Sequence, residues 1–241
     1  MKVYLINLDA NKDRLLAADS QLSRMGVMYR RISAIYGKAL PNDEKETAVN
    51  HFRLWFSLGR QLRDGELGCA MSHYSVYHKL IEENCPCACI LEDDVLLDEE
   101  FPHAINEVEA WLHPSIPQVV LLSNHSVDKG RGIVRSQGDM YTEGYILTRS
   151  AAEALLKANW PLCAPCDHWR RWVIRGDIEL YHYFPTVCRQ DQSQYQSNTG
   201  GGFVVAKLPL FLWILHKMKR SVGKPLDALM LHLEGLMRRL K

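Results

Sequence analysis

What this chain of 241 residues lacks already narrows what it can be. No apolar run approaches the roughly 20 residues that a bilayer-spanning helix needs. The stretch Leu208-Pro209-Leu210-Phe211-Leu212-Trp213-Ile214-Leu215 could lie on a membrane but not cross one. The opening Met1-Lys2-Val3-Tyr4-Leu5-Ile6-Asn7-Leu8-Asp9 is too short in apolar residues for a signal-peptide core plus cleavage site. It reads as a strand, and the expected compartment is the cytoplasm. There is no internal repeat and no disulfide framework. Seven cysteines is an odd count, and Cys85, Cys87 and Cys89 alternate along one segment, a pattern that suits reduced thiols.

Net charge is nearly absent too, at +1, but the balance is uneven. Residues 207–241 hold eight Lys or Arg against only Asp227 and Glu234, so the rest of the chain is net acidic. Differently charged parts imply different partners, and nucleic acid is not expected among them. The division predicted is a catalytic domain over residues 1–206 and a basic helical appendage over 207–241.

What is present begins with alternating strand and helix signals. Residues 3–8 read as a strand. A helix follows Asn11, with Leu15, Leu16, Leu22 and Met25 at helical spacing and Gly26 as its stop. Residues 27–35 read as a second strand and the polar run 41–50 as a surface excursion. Asp64 is the expected cap of a helix over 65–83, which leads into a strand ending at Glu92-Asp93-Asp94. A helix near 99–112, a strand at 118–122, a hairpin-like region at 130–138 and a strand at 141–148 come next. Ser150-Ala151-Ala152-Glu153 has a capping-box pattern for one more helix. Such alternation implies an α/β fold with a largely parallel sheet and helices on both faces.

Cys89-Ile90-Leu91-Glu92-Asp93-Asp94-Val95 carries the sharpest chemical signal. A buried strand breaks into three adjacent carboxylates at what would be the ligand end of an open α/β sheet. Three neighbouring charges repel and resist desolvation unless a cation or several donors neutralise them. Unless the backbone turns there, strand alternation puts Glu92 and Asp94 on one side, as a pair able to hold Mn²⁺ or Mg²⁺ with phosphate oxygens, and leaves Asp93 for ribose hydroxyls. An acidic loop tip is the plainer alternative.

A second constellation lies in Asp64-Gly65-Glu66-Leu67-Gly68-Cys69-Ala70-Met71-Ser72-His73. Glu66, Ala70, His73 and Tyr77 share a helix face, and the small residues permit close approach to a neighbour. Glu66 could equally be a dipole-compensating acid and His73 a hydrogen-bonded core histidine. A third is Cys163-Ala164-Pro165-Cys166-Asp167-His168. Its C-x-x-C spacing allows zinc, but a tetrahedral site needs a second ligand pair, and Cys85-Pro86-Cys87 is a poor match. Asp167 is the better catalytic candidate, with helix capping as its alternative.

Taken in order, these blocks resemble glycosyltransferase family 25, the lipooligosaccharide biosynthesis enzymes that also include collagen galactosyltransferase domains. The resemblance spans roughly residues 2–200. Val3-Tyr4-Leu5-Ile6-Asn7-Leu8-Asp9 with Arg14 is similar to the family's opening strand and nucleotide-side residues. Arg31-Ile32-Ser33-Ala34-Ile35-Tyr36-Gly37 is similar to its second strand, with Tyr36 where an acid is usual. The blocks at 65–73 and 90–95 match closely, and Gly144-Tyr145-Ile146-Leu147 and Pro165-Cys166-Asp167 fit the later ones.

The resemblance implies a GT-A type, Rossmann-like fold and a UDP-galactose or UDP-glucose donor. It further implies a divalent metal, Mn²⁺ or Mg²⁺, and transfer of the hexose with inversion to an oligosaccharide acceptor on lipid A-core. On this reading Asn7, Asp9, Arg14, Ala34 and Asp93 bind nucleotide, and Glu92 and Asp94 bind metal. Ser72 and His73 contact substrate, and Asp167, with Glu66 as competitor, takes the acceptor's proton. The basic tail, with Leu229, Leu233, Leu236 and Leu240 at helical spacing, would hold the enzyme to anionic lipid on the cytoplasmic face of the inner membrane. Its alternative is a helical pair packed on the body or on a second copy in a homodimer. Rival functions are a nucleotide-sugar or metal-binding module, and a nucleotidyl- or phosphotransferase.

Overall fold

The computed structural model describes residues 1–123, 130–138 and 141–191. The tail assigned to membrane or subunit contact, residues 207–241, lies outside the described residues. Seven strands form the central sheet in the order β2-β1-β3-β7-β5-β8-β6. Strands β1 (Lys2–Asn7), β2 (Arg30–Ser33), β3 (Cys87–Glu92), β5 (Gln118–Leu121) and β8 (Glu179–Phe184) run one way. Strands β6 (Gly132–Arg135) and β7 (Gly144–Thr148) run the other. A small second sheet pairs β4 (Val95–Leu97) with β9 (Cys188–Gln190).

The sheet has a core on each face, and the strand residues divide between them by the two-residue period of a pleat. Tyr4, Ile6, Ala88, Ile90, Tyr145 and Leu147 point to one side. There they meet α4 (Asp64–Glu82), α6 (Arg149–Asn159) and α7 (Trp169–Arg175) through Leu67, Tyr77, Leu155, Trp169 and Trp172. Val3, Leu5, Cys89, Leu91 and Ile146 point to the other, against Ala18 and Leu22 of α1 (Lys12–Arg24) and Phe101 and Val108 of α5 (Phe101–Trp111). Strands buried on both faces read as continuous apolar runs, which is why β1 and β3 are recognisable in the sequence. The Rossmann-like α/β class holds, with helices on both faces of a mostly parallel sheet.

Several local expectations are corrected. The run 41–50 is not a bare excursion: α2 (Asn42–Ala48) lies within it and α3 (His51–Leu58) comes directly after it. Helix α2 lacks an apolar period because tertiary ties hold it, with Lys45 Nζ bonded to Asp64 Oδ1 at 2.9 Å. That bond also shows why Asp64 is not the cap of α4: the cap position is Arg63, and Glu66 Oε2 accepts its backbone N–H at 2.8 Å. Helix α6 is capped by Thr148, whose hydroxyl accepts the N–H of Ala151, and not by Ser150. The region 130–138 contributes β6, whose partner is the distant β8 and not a local hairpin strand. Strand β2 is four residues, shorter than expected. All seven cysteines are free thiols.

Register sets the site. Ile6 lies opposite Glu92 across the β1/β3 pair, and Asn7 lies opposite Ser33 across β1/β2. Parallel strands therefore deliver Asn7, Ala34 and the three acids to one edge, their carboxyl ends.

Candidate active site

The chain turns at Asp93 and Asp94, immediately after β3, so strand alternation no longer decides where the acids point. Asp93 and Asp94 converge on the buried guanidinium of Arg14 from α1, each at 3.3 Å from Nη1. Asn7 Nδ2 donates to the second oxygen of Asp93 at 2.7 Å. Both oxygens of Asp93 are thus engaged. Asp94 Oδ2 accepts from Gln190 Nε2 at 3.1 Å, whereas its Oδ1 is buried with no hydrogen-bond partner among the described residues. Burial, reinforced by the charge of Glu92, pushes the Asp94 carboxyl up to about 6. Burial likewise raises Asp93, against the donors from Asn7 and Arg14.

Glu92 turns the opposite way. Its Oε1 accepts the Thr142 hydroxyl at 2.5 Å and lies 3.3 Å from His73 Nε2. Burial would raise this carboxyl, but the bond and charge of His73 together with Thr142 hold it below its ordinary value. His73 is in turn fixed by Tyr145, whose hydroxyl is 2.8 Å from Nδ1 and 2.8 Å from the Tyr77 hydroxyl. Burial alone would lower the imidazole; Cys69 and Glu92 outweigh it and push it up to about 10. A buried relay therefore runs from the middle of α4 to the cleft carboxylate. Tyr145 and Tyr77 carry no signal of this in the sequence, because apolar packing explains a tyrosine in a strand or helix equally well.

Two cavities meet at Glu92. One, with about 740 Å³ of empty space including open solvent, is lined by Asn11, Arg14, Ala34, Tyr36, Lys38, Ser72, His73 and the three acids. The other, about 640 Å³ on the same measure, is lined by Glu66, Tyr141, Thr142, Glu143 and Asp167. Cys69, Glu92 and Gln190 line both. Gln190 and Thr142 have no motif to announce them. Gln190 arrives because β9 pairs with β4 with Gln190 opposite Val95, and Thr142 because the β3/β7 ladder extends one step as Glu92 N–H donates to Glu143 C=O at 2.9 Å.

Of the expected nucleotide residues, Arg14, Ala34 and Asp93 line the first cavity, and Asn7 supports it through Asp93. Asp9 is exposed outside the lining, bound to Arg31 and to the Ser33 hydroxyl. Ser72 lines the cavity while serving as a brace: its hydroxyl accepts Ile35 N–H at 2.8 Å and donates to Gly68 C=O at 2.6 Å. Gly68 is needed at that brace, since a Cβ there would lie 2.5 Å from Ile35 O and 2.6 Å from Gly37 N. This is the close approach that the small residues of α4 foretold.

The two proton-acceptor candidates differ in how committed they are. Glu66 takes a bidentate pair from Arg60, both bonds 2.7 Å, besides capping α4. Burial opposes its charge, but Arg60 and the Arg63 N–H keep it below the ordinary carboxylate value. Asp167 does not cap α7, whose cap position is His168. Its Oδ1 is buried with no hydrogen-bond partner among the described residues. Burial, with the charges of Glu92 and Glu66 adding, pushes Asp167 up to about 6.

A doubly wound sheet that gathers carboxylates, an arginine and an amide at its strand ends, above a cleft in two lobes, defines an α/β domain of the ligand-transforming kind. Sequence comparison makes the class particular. Glycosyltransferase family 25 (LPS biosynthesis protein) matches residues 1–169, and the chain belongs to that family. The lipooligosaccharide biosynthesis protein lic2B of Haemophilus influenzae is 30% identical over 213 residues, covering 82% of this chain and 73% of that protein. Procollagen galactosyltransferase 1-A of Xenopus laevis is 26% identical over 176 residues, 66% of this chain. The chain spans only 28% of that relative's length. A bovine relative, 27% identical over 175 residues, is a probable inactive glycosyltransferase 25 family member 3. No helix among the described residues is long and apolar enough to cross a membrane.

Proposed function

We propose that the protein is an inverting hexosyltransferase that moves galactose or glucose from a UDP-sugar to an oligosaccharide acceptor of lipooligosaccharide or lipopolysaccharide, on lipid A-core. The observation that carries this reading is the pair of lobes joined at Glu92, one rimmed by Arg14, Asp93 and Asp94, the other holding an uncommitted carboxylate at Asp167. The first lobe suits UDP. Asp93, oriented by Asn7 and Arg14, would accept from ribose hydroxyls, and the exposed Lys38 would supply positive charge at the lining. The buried, unpartnered Oδ1 of Asp94 is a hard oxygen donor, so Asp94, together with diphosphate oxygens, would hold Mn²⁺ or Mg²⁺; Glu92, expected beside it, is turned toward His73 and Thr142. When bound, the metal supplies a Lewis acid that offsets charge growing on the departing diphosphate.

In the second lobe an acceptor hydroxyl would hydrogen-bond to Asp167. As its oxygen bonds to the anomeric carbon, its proton passes to the Asp167 carboxylate, and the sugar–diphosphate bond breaks on the opposite face with its electrons leaving on UDP. One base suffices for inversion, and a carboxylate raised to about 6 is ionised at neutral pH yet accepts a proton more readily than an ordinary aspartate. His73 and Thr142 hold Glu92 still between the lobes. Incubation with each UDP-sugar, Mn²⁺ and oligosaccharide acceptor tests the proposal. UDP release together with hexose on the acceptor is expected. Nucleotide binding without UDP release favours a binding module, and transfer of phosphate or nucleotide instead of sugar favours the phosphotransferase reading.

Peripheral attachment to the cytoplasmic face is part of the same proposal, supported by the excess of Lys and Arg in residues 207–241. Removing those residues should lower sedimentation with anionic liposomes; an unchanged bound fraction, with a change in oligomeric state, favours pairing with a second copy.

A further inference from the structure

The C-x-x-C spacing of Cys163 and Cys166 points to the wrong pair. Cys163 is buried in the core and its backbone N–H is taken by Asn159 Oδ1 at 2.8 Å. Cys166 faces Cys69 of α4 instead, with the two sulfurs 3.6 Å apart. His73 stands four residues after Cys69 on the same helix face and is 1% exposed. One ligand atom from each of the three lies within 4.8 Å of the others.

We propose that Cys69, Cys166 and His73 form a site for one thiophilic divalent cation, of the zinc and cadmium class, between the two lobes of the cleft. Two sulfurs bound tetrahedrally at about 2.3 Å from one zinc lie roughly 3.8 Å apart, so the thiols already stand near the required spacing. The donor set is soft sulfur and imidazole nitrogen, unlike the carboxylate oxygen of Asp94, so the two positions select different metals. Access is provided because Cys69 lines both cavities and Cys166 the second, which leaves the fourth position open to water. Binding forms two metal–thiolate bonds and one metal–nitrogen bond; both thiol protons and one ring proton of the charged His73 leave to solvent.

Occupancy also has a consequence for Glu92. His73 uses both ring nitrogens, one toward Tyr145 at 2.8 Å and one toward Glu92 at 3.3 Å. A cation bound at Nε2 takes the place of the bond to Glu92, which then loses part of its support. A filled site therefore slows transfer. This last step rests on the glycosyltransferase reading; metal binding itself does not.

The test is cadmium titration of the full chain, stripped of metal and kept reduced, followed by the thiolate-to-cadmium charge-transfer band and by native mass spectrometry. One cadmium per chain is expected, and Mn²⁺ in excess should leave the band in place. Cys69→Ser and Cys166→Ser should each weaken binding by roughly 100-fold or more, above the loss typical for outer-shell changes. Cys163→Ser should not change it, with circular dichroism confirming that each variant is folded. Absence of the band in the wild-type protein overturns the site, as does a band that survives both substitutions or disappears with Cys163→Ser. Full UDP-sugar transfer by cadmium-loaded protein overturns the coupling to Glu92. Because binding is read without substrate, its failure is distinguishable from a failure of transfer.

Discussion

Each lobe of the cleft keeps one aspartate oxygen without a hydrogen-bond partner among the described residues, and the lobes differ in what surrounds it. In the lobe proposed for the donor, Asn7, Arg14, Asp93, Asp94 and Gln190 are tied to one another, and one oxygen of Asp94 and the Asn11 amide nitrogen are buried without a partner among the described residues. The acceptor lobe brings Glu66, Glu92, Glu143 and Asp167 together, and there Asp167 is the acid held least firmly. A lobe whose charges are already paired recognises a rigid, highly charged ligand with little reorganisation. On the proposed reading the Asp167 carboxylate, short of donors, keeps its basicity for the proton that the acceptor brings.

The sharpest way to break this comparison is Asp167→Asn. Removing a general base should lower turnover by about 10²–10⁴-fold while UDP affinity, which belongs to the other lobe, stays unchanged in calorimetry. Full activity in that variant would remove Asp167 from the mechanism. The same group sets a pH dependence. A carboxyl raised to about 6 loses its charge as pH falls through 6, so turnover should decline on that acid limb and the limb should vanish in Asp167→Asn. Its sign for stability is opposite. A raised acid contributes its stability below the unfolded value, and this is lost as pH rises through about 6, so at neutral pH the asparagine variant should melt higher, by roughly 2–4 °C per kcal/mol recovered.

Asp94→Ala probes the donor lobe. Loss of the oxygen proposed to ligate the metal should weaken metal-dependent UDP binding by roughly 10–100-fold, at least the cost seen for groups that merely orient ligands. Unchanged calorimetric affinity with Mn²⁺ would mean that the unpartnered oxygen of Asp94 holds no cation. Gly68→Ala tests the scaffold beneath both lobes. A methyl group 2.5 Å from Ile35 O must push α4 away from the loop after β2, at about 1–3 kcal/mol of stability read by urea unfolding.

The contrast between the lobes also explains what is legible in the sequence. The donor lobe comes from short contiguous blocks at the ends of two buried strands, so the apolar runs of β1 and β3 and the acids after them are visible in one dimension. Ser72 and Gly68 are visible as small residues, although their role as a brace needs the contact with Ile35. The acceptor lobe is assembled from Tyr141 and Thr142, Asp167 and Gln190, which come from three separate segments of the chain. Trp169 Nε1 donates to Tyr141 C=O at 2.8 Å, which fixes that assembly, and no spacing encodes such a bond. The alternation that puts Glu92 and Asp94 on one side fails for a local reason: the backbone turns after Glu92, and Arg14 draws Asp93 and Asp94 together. The thiol pair misleads because proximity in sequence favours Cys163, whereas the fold brings in Cys69 from 97 residues away.

Glu66 is the residue on which the two lobes could change places as base and brace. It lines the acceptor lobe beside Asp167, yet it is bonded in the manner of the donor lobe, with two charge-assisted bonds from Arg60 and one from the Arg63 N–H. In Glu66→Gln the side-chain oxygen can still accept the Arg63 N–H, since glutamine serves at this position of a capping box. What is lost is the charge toward Arg60, whose side chain is 40% exposed, and an ion pair of that exposure contributes about 0–1 kcal/mol. Turnover should therefore fall by no more than about fivefold, the rate equivalent of 1 kcal/mol. A loss as large as that expected of Asp167→Asn, with α4 still folded by circular dichroism, would make Glu66 the proton acceptor and leave Asp167 to position the acceptor sugar.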